Sequence, residues 1–443
     1  MRKNDTKIEN MNNKSKLIDR RFLLPFILVT SLFALWGFAN NITSPMVATF
    51  QTLMELPASE AALVQFAFYG GYATMAVPAA LFIRRYSYKS GILIGLALYA
   101  VGALLFIPAA AQQSFAFFCV SLYILTFGLA FLETTANPLI LSLGSKETST
   151  RRLNLAQAFN PIGSLLGMSV ASLVVLPGLW SDRRDAAGKI IYSGLLDSEK
   201  MLIREHDLDI VRNSYVILGI VVLLILVVFA RVVIPNLQGR NAEHVDNKAT
   251  IINLWNNRKY RYGVVAQVFY VAAQIMVWTF VIQYADNLGI NKAVAERYNI
   301  CAMILFLCGR FASTFFMRYF RPGVLLALFG VGATLATLGA VAIDGIWGLY
   351  SLVAISFFMS LMFPTIYGIA LESVNREDTS LGAAFLVMAI VGGALMPPLQ
   401  GMIIDAGTVA GMPAVKFSYL LPLFCFVMVT MYGFACRRVQ KQK

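Results

Sequence analysis

Runs of about twenty apolar residues recur twelve times along the chain, each long enough to cross roughly 30 Å of hydrocarbon as a helix. They begin near Phe22, Ser59, Ser90, Phe115, Leu153, Val211, Tyr262, Ala293, Gly323, Trp347, Thr379 and Ala414. The sixth is almost wholly apolar from Val211 to Ile234. The first, fourth, fifth and seventh carry polar residues, which are costly in lipid and therefore expected to face a cavity. The first run is too long, and too polar near its end, for a cleaved signal peptide, so it is expected to remain as helix one. The pattern predicts an all-α polytopic membrane protein of twelve transmembrane helices.

Composition narrows the class further. Of 443 residues, 58% are hydrophobic and 13% charged, against about 25% charged in an average soluble protein. So few ions cannot cover a soluble surface, which excludes a soluble enzyme, a nucleic-acid-binding domain and a disordered chain. The five cysteines are scattered through apolar runs without a CxxC pair, and His206 and His244 lie in polar stretches. No metal site, disulfide framework or histidine relay is expected inside the membrane. A membrane enzyme would need a nucleophile with its base, paired acids or a metal, and none is evident. The net charge of +13 is a topology signal: with the N-terminus inside, 27 of the 36 Lys and Arg fall on inner segments. Both ends are then cytoplasmic, and the basic loops meet lipid headgroups instead of nucleic acid.

The longest inner polar segment, 236–260, divides the chain. The expected organisation is a cytoplasmic tail (1–21), a six-helix half (22–235) with an external loop (179–213), a second half (261–436) and a short tail (437–443). The halves echo each other weakly. Phe82-Ile-Arg-Arg-Tyr-Ser-Tyr-Lys-Ser-Gly91 and Phe316-Met-Arg-Tyr-Phe-Arg-Pro-Gly323 are basic turns closed by glycine at equivalent places, and Asn137-Pro138 is matched by Phe363-Pro364. Two six-helix repeats around a central loop are the plan of major facilitator transporters, whose site lies at the midplane between halves.

Glu133 is the one carboxylate deep within a span. Burial disfavours the ionised form, so this side chain can be neutral in one state and charged in another, which a proton carrier requires. Other spans bring amides together. Helix five places Asn154, Gln157, Asn160 and Ser164 within about 120° of one face. Helix seven confines Gln267, Tyr270, Gln274 and Trp278 to about 80°. Helix one adds Trp36, Asn40 and Asn41 with Thr43 and Ser44, and helix two adds Gln65, Tyr69 and Tyr72. Amides both donate and accept, which suits the hydroxyls of a neutral polyol, while Trp36 and Trp278 offer apolar faces to a sugar ring. No Lys or Arg lies deep in a span as a clamp for an anion, Arg310 being expected near a cytoplasmic end.

Five stretches resemble the L-fucose:proton symporter family of the major facilitator superfamily. They are Leu35-Trp-Gly-Phe-Ala-Asn-Asn41, Phe131-Leu-Glu-Thr-Thr-Ala-Asn-Pro138, Arg152-Leu-Asn-Leu-Ala-Gln-Ala-Phe-Asn160, Ala266-Gln-Val-Phe-Tyr-Val-Ala-Ala-Gln274 with Trp278, and Phe363-Pro-Thr-Ile-Tyr367. They span both halves. The resemblance implies alternating access, sugar import driven by protons, proton handling at Glu133, and Trp36, Asn41, Gln157 and Asn160 near the sugar. The chain departs from the family pattern at Ser44, where the symporter has an aspartate implicated in coupling. Three readings follow: Glu133 alone couples one proton; sodium replaces the proton with Thr43 and Ser44 among its ligands; or the carrier is uncoupled. A sugar sensor that moves nothing is the alternative of another class. No bound cofactor is expected, and the protein is expected to be a monomer.

Overall fold

The computed structural model describes residues 17–18, 20–56, 63–171, 175–181, 183, 191–234, 247–290, 292–375 and 377–437. The long helices are α1 (Leu23–Leu53), α2 (Leu63–Arg85), α3 (Tyr88–Leu104, continued by Phe106–Ala111) and α4 (Phe115–Ser142). Next come α5 in two pieces (Ser149–Gln157 and Phe159–Val170), α6 (Asp197–Arg231), α7 (Arg258–Thr279), α8 (Lys292–Phe316) and α9 (Pro322–Ala342). The series closes with α10 (Ile346–Met359 and Met362–Glu372), α11 (Thr379–Met388 and Gly392–Asp405) and α12 (Leu420–Cys436). Among the described residues, ten helices are long and apolar enough to cross a membrane. The two that fall short are α2 and α5. Both adjoin segments outside the described residues, 57–62 before α2 and 172–174 after α5. Ile217, Leu224, Leu335 and Met431 stay exposed on the outside of the bundle, as lipid contact requires.

Two helix breaks share one cause. Proline has no N–H, so the carbonyl four residues before it loses its partner. Pro161 frees the Gln157 carbonyl, and α5 is interrupted at Ala158; Pro364 frees the Ser360 carbonyl, and α10 is interrupted between Met359 and Met362.

Contact between α1 and α5 depends on glycine. A Cβ at Gly163 would land on the carbonyl of Ala34, and one at Gly37 on the carbonyl of Asn160. The two backbones touch, which fixes Trp36 on one helix beside Asn160 on the other. Both ends of α1 are also tied. Beside the terminal side, the buried Arg152 guanidinium donates to the carbonyls of Ile140 (2.8 Å) and Leu141 (2.6 Å) at the end of α4, and to that of Leu17 (3.1 Å) just before α1. Such carbonyls have no partner within their own helix. At the far end, Tyr192 Oη (2.9 Å) and Arg204 Nε (3.0 Å) both donate to the Leu53 carbonyl.

The external segment 179–213 differs from its expected form, because α6 begins at Asp197 and much of the polar stretch is helix. Asp197 and Glu199 in the first turn favour the helix dipole, and the Glu199 carboxylate accepts from the Leu196 N–H at 3.2 Å. Lys200 pairs with Glu55 at 2.6 Å. Water screens a surface pair of this kind, and it contributes little to stability. Glu55→Gln is therefore expected to leave thermal unfolding in detergent almost unmoved, whereas Tyr192→Phe, which removes a buried hydrogen bond, costs about 1 kcal/mol. Of the central segment, 236–246 lies outside the described residues. Asn247–Asn256 is a helix that receives Arg84, whose guanidinium donates to Asn247 Oδ1 and Thr250 Oγ1, both at 2.9 Å.

The halves meet on the terminal side. There α2 packs against Thr379–Met388 of α11, and Ser149–Gln157 of α5 against Met362–Glu372 of α10.

Candidate functional site

A cavity of about 860 Å³ lies between the two halves, within the size range of small-molecule sites. Its walls come from the parts of the helices remote from the termini: Val64 to Tyr72 on α2, Gln157 to Met168 on α5, Val271 to Thr279 on α7 and Ile390 to Gly401 on α11. Toward the terminal side it is closed. Asn154 Nδ2 donates across the halves to Thr365 Oγ1 (3.1 Å), and Arg151 Nε to the Thr314 carbonyl (3.1 Å). The cavity thus lies away from the terminal side and is shut toward it.

Most of the residues singled out in the sequence are brought together here. Trp36, Asn40, Asn41, Glu133, Gln157, Asn160, Gln274 and Trp278 all line the cavity. Asn41 Nδ2 donates to the Gly37 carbonyl (3.0 Å) and Asn160 Nδ2 to the Phe33 carbonyl (3.3 Å), leaving each side-chain carbonyl as an acceptor. Trp278 Nε1 donates to Ser356 Oγ (3.3 Å), and its ring meets Phe306 edge-on at 5.1 Å. Trp36 packs edge-on against Phe33 at 4.7 Å. Glu133 is half-buried and makes no hydrogen bond to a described protein group. Gln65, Thr43 and Ser44 lie on α2 and α1, and their side chains are outside what the structure describes.

Two predicted residues are placed elsewhere. Gln267 and Tyr270 are fully buried and do not line the cavity. They share the face of Gln274 and Trp278, but depth separates them: helix periodicity reports direction and not how far down a cavity reaches. At their level α11 closes the wall, its Gly392 packed on the Val268 carbonyl.

Arg310 was missed as a site residue. Expected near a helix end, it lines the cavity with 4% exposure. Its Nη1 donates to Gln157 Oε1 (3.2 Å), and its guanidinium lies over the Phe306 ring at 4.9 Å. Gln157 Nε2 in turn donates to Asn137 Oδ1 (2.9 Å). Both ends of the Gln157 amide are therefore held by protein. The signal was present in the sequence: Asn299, Met303, Phe306 and Arg310 recur at helical spacing on one face of α8 and all line the cavity.

The arrangement offers one acid, one cation held by an amide, several uncharged amides and two indole rings. It can bind an uncharged, hydroxyl-rich molecule and exchange a proton at one carboxyl. Among the described residues no cluster of His, Cys, Asp and Glu could hold a metal ion.

The family model described as Major Facilitator Superfamily matches residues 26–397. The chain is 59% identical to an L-fucose-proton symporter of Haemophilus influenzae, over 96% of this chain and all of that one. It is 34% identical to an L-fucose-proton symporter of Escherichia coli, over 94% of this chain and 93% of that one. A crystal structure of the major facilitator transporter FucP in the outward conformation superposes with a TM-score of 0.85 at 32% identity, covering 95% of this chain and all of the other. Sequence, twelve-helix fold and cavity agree: the chain belongs to the major facilitator superfamily and, within it, to the family of the L-fucose:proton symporters.

Proposed function

We infer that the protein is a proton-coupled symporter that imports L-fucose or a related neutral hexose by alternating access. The observation that carries this reading is the cavity between the halves, in which Glu133 stands among amides and indoles without a hydrogen-bond partner among the described residues. Sugar enters from the open side and Glu133 takes a proton. Closing that side removes the carboxyl from water, a step that is costly for the ion and cheaper for the acid. Both ligands then bias one two-state equilibrium, which is what coupling requires. In this reading the closed side, which carries Leu17 and Arg437, faces the cytoplasm of a bacterial inner membrane, with both ends inside. The working unit is a monomer.

Labelled sugars in proteoliposomes, with proton and sodium gradients imposed separately, test the reading. L-fucose accumulation under the proton gradient is expected, and accumulation under sodium alone would overturn proton coupling. Binding without flux would make the protein a sensor.

Arg310 orients Gln157 in this scheme. Arg310→Met removes the donor to a buried amide, and hydrogen bonds to charged groups contribute about 1.5–3 kcal/mol. Equilibrium sugar binding is expected to weaken about tenfold or more, with Arg310→Lys retaining part of it.

A further inference from the structure

Beneath the cavity floor, toward the terminal side, the halves bury polar groups without hydrogen-bond partners among the described residues. On α7, Gln267 is fully buried with Oε1 and Nε2 both unpaired, and one turn along the Tyr270 hydroxyl is buried and unpaired. The Tyr367 hydroxyl on α10 and Nδ2 of Asn137 on α4 share that condition.

These side chains form one patch. The Tyr270 ring meets Phe363 at 6.3 Å, and Phe363 stacks on Tyr367 at 6.2 Å. Tyr367 lies close to Asn137 and within electrostatic reach of Glu133, without a well-formed hydrogen bond. Tyr270 is within the same reach of Arg310. The Asn154–Thr365 bond closes off the terminal side, and Oδ1 of Asn154 is itself buried and unpaired. Two other buried tyrosines of the second half find carbonyls, Tyr260 donating to Gly382 and Tyr284 to Ala340, both at 2.7 Å, whereas the buried Tyr419 hydroxyl, near the start of α12, has no partner among the described residues.

Burying an amide with neither end paired is unfavourable. A transporter has a second state in which such groups can be used. Gln267 lies two turns from Gln274, which puts it about 10 Å nearer the terminal side. That is roughly the step a hexose would make on leaving the outer position.

We propose that Gln267, Tyr270, Tyr367 and Asn137 are the hydroxyl-binding surface of the inward-open state, a second sugar position uncovered when Asn154 and Thr365 part. The proposal rests on the sugar-transport reading and adds to it a site that is shut in the present conformation. Its ligands are uncharged hydroxyls, because the patch supplies amide and phenol groups that donate and accept without carrying charge.

The test compares the two faces. Counterflow of labelled L-fucose is measured in right-side-out and inside-out membrane vesicles, giving a half-saturation concentration for each face. The ratio of cytoplasmic to outer values is expected to rise about fivefold or more in Tyr270→Phe, Tyr367→Phe and Gln267→Met, the loss expected for one hydrogen bond. Tyr270→Phe removes a single oxygen from a packed ring, so it decides the matter if a larger change fails to reach the membrane. A ratio within twofold of the unaltered protein, whether both faces shift together or neither does, overturns the proposal. Absence of fucose flux in the unaltered protein would instead overturn the transport reading on which it stands.

Discussion

Glu133→Gln is expected to abolish sugar accumulation under a proton gradient while leaving sugar exchange in place. Glutamine keeps the shape of the protonated acid but cannot release the proton. The closing step therefore remains permitted, and the energetic link to the gradient is lost. A membrane potential of about 100 mV supplies about 2.3 kcal/mol per charge, which corresponds to about 50-fold accumulation for one proton per sugar. The variant should equilibrate labelled L-fucose to a ratio near one, while counterflow continues within about threefold of the unaltered protein. Full accumulation by this variant would remove Glu133 from coupling. Counterflow lost together with accumulation would make the residue a sugar ligand.

Gly163→Leu is the second large effect. A Cβ at this position would meet the Ala34 backbone carbonyl, and a backbone cannot swing aside as a flexible side chain can. Overpacking costs about 1–3 kcal/mol and occasionally more, and a collision between main chains belongs at the upper end. We expect a clear fall in the thermal unfolding midpoint in detergent and at least a tenfold loss of sugar binding, because Trp36 and Asn160 are forced apart. Gly194→Ala is the control, since a Cβ there meets nothing within 4 Å. Unchanged binding in Gly163→Leu would show that the α1–α5 contact does not set the site.

Much of this was legible in the chain. Apolar runs marked the helices because lipid imposes both length and internal hydrogen bonding on anything that crosses it. Trp36, Asn41, Glu133, Gln157, Asn160, Gln274 and Trp278 could be grouped because polar residues in such runs have few places to go, and all of them line one cavity. What escaped was depth and state. Gln267 and Tyr270 face the same way as Gln274 and Trp278, but they lie where the halves are closed. Arg310 escaped because its place in the sequence suggests a cytoplasmic helix end. Its partner, Gln157, is 153 positions away in sequence, and no local pattern announces such a pair. The polar start of α6 was likewise hidden, since charged residues outside the bilayer say little about whether the backbone there is coiled or helical.

The double fastening of α1 bears on how a small sugar moves a large protein. A rod left loose at one end could yield locally when a ligand presses on Trp36, and the push would be spent on that rod. Held at Leu17 through Arg152 and at Leu53 through Tyr192 and Arg204, and pressed backbone to backbone against α5, it has no slack. Pressure on its middle is handed to the whole six-helix block, so a contact of a few atoms works as a lever on a body of about two hundred residues.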